Sequence, residues 1–204
     1  MDFLKRLLKK PSLTKTTPVI PEKKPGESPL TETAFYPASC ISDVLCVTEI
    51  ANAEFFVGDL FRRRFNTPSF PDTPRHFVAF YKSGERTMMP VGYVHQSPWE
   101  CCFMCGGLVI DERFYRTIPA AHRRIIREAG GIAEHLLRES FAAVHCEETL
   151  AIWGFVGDKL AEQVDLRVGF VHSGIPHLMV VWLKSLPEEE KTAWIRKVAA
   201  LGPF

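Results

Sequence analysis

Between Arg127 and Leu137 the chain reads Arg-Glu-Ala-Gly-Gly-Ile-Ala-Glu-His-Leu-Leu. Gly130, Gly131 and Ala133 are small residues where a helical spacing begins. Backbone N–H groups at a helix start that no side chain obstructs can cradle a pyrophosphate, and the helix dipole adds to the attraction. The competing reading is a plain Gly-Gly helix boundary, since such dipeptides are common turn signals. Upstream stand Arg113, Arg116, Arg123, Arg124 and Arg127. They are bidentate donors suited to phosphate, or the solvated face of a helix. Two side chains are candidates to take a proton: Glu100, ahead of an apolar strand, and His95, whose intrinsic pKa suits the task. Each also reads as a satisfied polar residue near a strand end. Cys102 and Cys105 form one Cys-x-x-Cys pair with His95 upstream. No second pair answers it, so no metal is expected, and both thiols read as small hydrophobes.

The elements that must position these residues follow from periodicity and punctuation. A short strand is expected over Ala34–Cys40. A helix is expected from Ser42 or Asp43 to about Arg64, with Val44, Val47, Ile50, Ala51, Phe55 and Leu60 as its apolar stripe. Thr67–Pro74 holds three prolines and reads as a loop. Strands are expected over His76–Lys82 and Val91–His95, joined by a turn near Ser83-Gly84, and over Cys101–Ile110, an almost wholly apolar run. Helices follow over Pro119–Ala129 and Ile132–Val144, then a strand over Leu150–Val156 and a helix over Asp158–Val168. A last strong strand, His177–Leu183, precedes a helix opened by Pro187, with Glu188, Glu189 and Glu190 in its first turn. His122, His135 and His145 are read as surface residues, and Trp153 and Trp182 as sheet core.

The 204 residues carry 25 Lys and Arg against 24 Asp and Glu. That balance argues against a general nucleic-acid binder, which carries a basic excess. No run is long and apolar enough for a transmembrane segment. Six cysteines with only one Cys-x-x-Cys pair among them point to reduced thiols in a cytoplasm. Residues 1–34 read as a separate piece. Met1–Lys10 places Phe3, Leu4, Leu7 and Leu8 on one helical face and four basic residues on the other. It is a docking helix for a partner or anionic surface, or a frayed terminus. Pro11–Pro37 holds six of the 15 prolines and reads as a linker. A homodimer is compatible with the chain.

From about Tyr36 to Lys184 the chain resembles the GCN5-related N-acetyltransferases. Gly131-Ile-Ala-Glu-His-Leu-Leu137 is similar to the end of that family's Q/R-x-x-G-x-G/A loop running into its helix. Ala151-Ile-Trp-Gly-Phe-Val-Gly-Asp158, then Ala161 and Gly169-Phe170, resembles its splayed strand, helix and Gly-Phe segment. The resemblance implies an α/β (α+β) domain over residues 35–204. Its sheet would be mixed, mostly antiparallel, of about six to seven strands, with helices on both faces. It implies transfer of acetyl from acetyl-CoA directly to an amine acceptor, with Glu100 or His95 as base. The backbone of Leu108, Val109 and Ile110 would meet the thioester oxyanion. Arg127, Glu128, Gly130, Gly131, Ile132, Ala133 and Asp158 would flank the cofactor. Glu128 departs from the usual Gln or Arg, and Asp165 stands where a tyrosine acid is frequent. These departures keep a second reading open: a degenerate member of the fold that binds CoA or a protein partner without turnover.

Overall fold

The computed structural model describes residues 38–72, 75–84 and 86–204. The proposed N-terminal helix and linker lie outside the described residues. The elements run α1 (Ile41–Val44), β1 (Leu45–Glu49), α2 (Glu54–Phe65), β2 (Arg75–Gly84), β3 (Thr87–Trp99) and β4 (Cys102–Ile110). A 3-10 turn at Phe114–Arg116 leads to α3 (Ala120–Glu128) and α4 (Ile132–Val144). Then come β5 (Ala151–Phe155), α5 (Lys159–Val168), β6 (Val171–His172), β7 (Leu178–Trp182) and α6 (Glu188–Ala199). The strands form one seven-stranded sheet in the order β1-β2-β3-β4-β5-β7-β6. Only β4 and β5 pair in parallel; all other neighbours are antiparallel.

Alternation along the strands sends side chains to two faces. Phe77, Ala79 and Tyr81 of β2 join one cluster with Val44, Ile126, Leu136, Leu137 and Val168, so α1, α3, α4 and α5 cover that face. Val78 and Phe80 turn the other way, onto Val57 and Phe61 of α2. Further along that second face, Trp153 and Met104 pack under α6. Cys105 belongs to the first cluster and Cys102 to the third, so the two thiols point to opposite faces.

The single long helix expected from residue 42 to 64 is two helices with a strand between them. Val47 and Thr48 are β-branched and favour an extended edge strand. Leu45–Glu49 pairs residue for residue with Tyr81–Phe77 of β2, and that ladder overrides the helical spacing. Asp43 is not an N-cap: it sits inside α1 and reaches back to accept from the amides of Ser39 and Cys40 at 2.8 and 3.0 Å. The stripe of α2 is Ala53, Val57 and Phe61, while Phe55 is 81% exposed. Residues 38–40, the described part of the expected first strand, are not strand. His122 is not a surface residue either; it is buried, and its Nδ1 meets the Tyr81 hydroxyl at 2.8 Å.

The cluster under α6 centres on Trp153, which is fully buried in β5. Trp153→Ala should destabilise the fold by about 3–5 kcal/mol, the usual cost of an aromatic-to-alanine cavity. Urea titration followed by circular dichroism measures it; a loss below about 1 kcal/mol would contradict this packing.

Candidate functional site

The β4–β5 ladder is short. It runs from Cys102↔Ala151 to Cys105↔Gly154 and stops. Beyond it β4 continues beside β3, whereas the chain after β5 stays with β7, the Val156 amide donating to the His177 carbonyl at 2.8 Å. Phe170 wedges against Gly154, where a Cβ would lie 3.1 Å from its ring. The strands therefore diverge, and the β4 amides that would have faced β5 front an opening.

That opening is a cavity of about 150 Å³ lined by Gly106, Gly107 and Leu108 of β4, by Gly154 and Val156, and by Asp165 of α5. It joins a cleft of about 520 Å³ whose walls include Leu108, Val109, Ile110, Ala133 and Asp158. These five expected residues are thus brought together. The same cleft is lined by Arg63 and Arg64 of α2 and by Arg113. Arg113 is held by both oxygens of Asp111 at 3.0 Å. Sequence reasoning missed Arg63 and Arg64; the Arg62-Arg63-Arg64 run was their only signal.

Two consecutive left-handed glycines make the turn into α4, with φ of 90° at Gly130 and 96° at Gly131. The Gly131 amide bonds back to the Ile126 carbonyl at 2.8 Å, a Schellman-type ending for α3. Gly131 then caps α4, which turns Ile132 into the core and Ala133 onto the cleft. Glu134, in the first turn, is clamped by Arg138 at 2.8 Å and by Arg167 of α5 at 2.9 Å. Asp158 caps α5 by accepting from the amides of Leu160 and Ala161, both at 2.9 Å. Its other oxygen lies 3.7 Å from Arg64 across the cleft.

Other expected residues fall elsewhere. Arg127 and Glu128 line a separate depression on α3, and Glu128 pairs loosely with Arg124 at 3.9 Å. Arg123 donates to the carbonyls of Tyr115 and Ile118, a structural role that withdraws it from the phosphate set. Glu100 occupies the turn before β4, at the opposite end from the divergence, with its carboxylate 2.6 Å from Lys197 of α6. The opening lies at the C-terminal end of β4, and Glu100 does not reach it. His95 does lie beside it. A Cβ at Gly106 would come within 2.8 Å of its Nε2, and one at Gly107 within 2.6 Å of its Nδ1.

Burial sets the protonation of both candidate groups. Desolvation, then the neighbouring His76, pushes the His95 pKa down to about 4, so its imidazole is neutral at pH 7. Desolvation, then the charge of Asp158, raises Asp165 to about 7. Asp165 thus holds its proton at pH values where an ordinary aspartate has lost it. Cys102 and Cys105 are buried and held as thiols, the former pushed up to about 11.

No protein-family model and no curated protein matches the chain. Solved structures do. The PaiA N-acetyltransferase from Thermoplasma acidophilum, in complex with coenzyme A, is 14% identical with a TM-score of 0.39, over 64% of this chain and 71% of that one. Apo FdhC, a nucleotide-linked sugar GNAT, is 12% identical with a TM-score of 0.41, over 76% and 93%. The ribosomal-protein-S18-alanine N-acetyltransferase from Escherichia coli is 9% identical with a TM-score of 0.38, over 71% and 97%.

Because Asp165 keeps its proton in the folded chain and loses it near pH 4 when unfolded, folding stability should fall as pH rises from about 4 to 7. Asp165→Asn should abolish that fall. Urea titrations at pH 5 and pH 8 should show the wild type losing on the order of 2–3 kcal/mol more than the variant; parallel losses would refute the raised pKa. The sheet is mostly antiparallel, and its one parallel pair diverges beside a glycine-led helix, which is the architecture that the sequence motifs imply.

Proposed function

We propose that the chain is an acyl-CoA-dependent N-acyltransferase that moves acetyl from acetyl-CoA to an amine by direct attack. The observation that carries this reading is the divergence of β4 from β5, which opens a path through the sheet with different chemistry on its two faces. On the α2 face stands neutral His95, a proton acceptor. On the α5 face stands Asp165, a proton donor near neutral pH. Between them run the free-edge amides of Gly106–Ile110, oriented to stabilise an oxyanion without reorganising.

In the reaction, His95 takes the proton of the acceptor amine as nitrogen attacks the thioester carbon. The β4 amides hold the negative oxygen. As the tetrahedral intermediate collapses and the carbon–sulfur bond breaks, Asp165 delivers its proton to the departing thiolate. Arg63, Arg64 and Arg113 face the outer cleft, where the phosphates of a CoA would leave the sheet. The acceptor enters on the α2 side, past residues 66–72. Six free thiols suit a reducing cytoplasm. Among the described residues, no helix is long and apolar enough to cross a membrane.

One observation favours a binding module instead. Burial raises the Tyr115 pKa, and a backbone hydrogen bond from Ile132 partly opposes the rise. The phenol therefore sits at the first turn of α4, where a pyrophosphate would bind.

Calorimetric titration with acetyl-CoA and with CoA separates the readings. Binding with Kd in the micromolar range or below is expected, and Ala133→Trp, which fills the cleft, should abolish it. With an amine acceptor in hand, His95→Ala should lower kcat by about 10²–10⁴-fold. Tight binding without turnover on any amine would favour the module. No heat from the folded protein would end both readings of the cleft.

A further inference from the structure

His95 is one member of a three-residue hydrogen-bonded chain beneath α2. The Tyr93 hydroxyl is 2.8 Å from Nδ1 of His76 and 3.3 Å from Nδ1 of His95. Tyr93 is wholly buried and His76 nearly so, and Phe61 and Phe70 pack their rings against Tyr93. The group rests on register: His76 and His95 are directly paired across β2 and β3, and Tyr93 projects to the same face as His95.

A hydroxyl has one proton, so Tyr93 donates to one imidazole and accepts from the other. Bonds from O–H donors are the shorter kind and those from N–H donors the longer. The 2.8 Å contact fits Tyr93 donating to His76, which leaves the Tyr93 oxygen to accept the Nδ1–H of His95 at 3.3 Å. Burial disfavours the charged form of both rings, so each imidazole carries a single N–H. With its proton on Nδ1, His95 is left with a bare lone pair on Nε2. That nitrogen is the one beside Gly106, a glycine that lines the opening. The glycine pair makes this possible, because any side chain at either position would displace the ring.

We propose that Tyr93 and His76 are positioning residues that fix His95 as its Nδ1–H tautomer, so that Nε2 is the atom that receives the acceptor's proton. The use of this atom rests on the acyltransferase reading above; the tautomer does not. In the step, an amine N–H bond breaks and its proton bonds to Nε2, while the nitrogen lone pair forms the bond to the thioester carbon. The imidazolium that results keeps its Nδ1–H on the Tyr93 oxygen until Nε2 returns its proton to solvent. Charged groups near His76 are Glu49 of β1 and Arg75 of β2, which bind each other at 2.6 and 2.7 Å, and Asp72 of the preceding loop.

Long-range proton–nitrogen NMR spectra of the full chain at pH 7 test this without any acceptor. His95 should show a protonated Nδ1 and an unprotonated Nε2, the reverse of a free imidazole in water. Tyr93→Phe should return the ring to Nε2–H. His76→Asn, whose amide oxygen stands near the place of Nδ1, should preserve the wild-type tautomer, and His76→Leu should lose it. An Nε2–H ring in the wild type, or an unchanged ring in Tyr93→Phe, overturns the proposal. Once an acceptor is known, Tyr93→Phe should lower kcat about ten- to a hundredfold, with KM for acetyl-CoA unchanged. An equal rate in the variant overturns the positioning role. Failure of acetyl-CoA to bind while the tautomer holds sinks the acyltransferase reading instead.

Discussion

The divergence of β4 and β5 is the constraint on which the rest depends. A parallel pair satisfies its backbone groups only while both strands keep the same neighbour. Here they share four register pairs and then each follows another partner. Unpaired amides inside a sheet are costly when they are dry, so the gap has to be filled by water or by a ligand that accepts hydrogen bonds. Several features keep it open. The Phe170 ring pushes on Gly154, the Val156 amide is committed to His177, and a bulge in β4 twists its second half away. The gap is built into the hydrogen-bond pattern, and no loop needs to move to create it.

Low polarity around the gap then decides the chemistry of its walls. A buried imidazole loses its affinity for a proton and a buried carboxyl gains one, so the same desolvation acts in opposite senses on His95 and Asp165. At neutral pH His95 is uncharged and Asp165, raised to about 7, is still partly protonated, so one can take a proton and the other can give one. Neither is the strongest acid or base available to a protein. The pairing matters more than the strength, since both groups border one short strand segment. Outside the gap the cleft is charged, with both signs present: Arg63, Arg64 and Arg113 stand among Asp111, Glu112 and Asp158, and Arg64 and Arg113 remain in reach of solvent.

How much of this was legible in the sequence follows the range of the interactions. The α3–α4 boundary was readable because Gly130 and Gly131 act locally, and the β5–α5 segment because an apolar run meets an Asp cap. Strand β1 was hidden, since an edge strand of five residues beside two helices carries a pattern that a helix also satisfies. Glu100 was misplaced for a different reason. Its nearness to β4 could be read from the sequence, but which end of β4 opens depends on pairing with β5, some fifty residues away. The His76–Tyr93–His95 chain needed the β2–β3 register, including its bulges. Asp165 could be singled out by position, while its retained proton depends on burial that no spacing reveals.

Two occupants supplied by the chain itself stand where a cofactor would lie: the Tyr115 phenol by the Ile132 amide, and the Arg64–Asp158 pair across the cleft. Magnitudes decide whether they bar a ligand. Both members of the ion pair are more than half exposed and 3.7 Å apart; such pairs contribute about 0–1 kcal/mol. A neutral hydrogen bond adds about 0.5–1.5 kcal/mol net. A ligand binding at 1 μM brings about 8 kcal/mol, several times what these contacts hold together. Once displaced, each becomes useful to an anion: Arg64 is freed as a donor, and the first-turn amides of α4 lose their competitor. Neither contact is strong enough to exclude an anion from the first turn of α4.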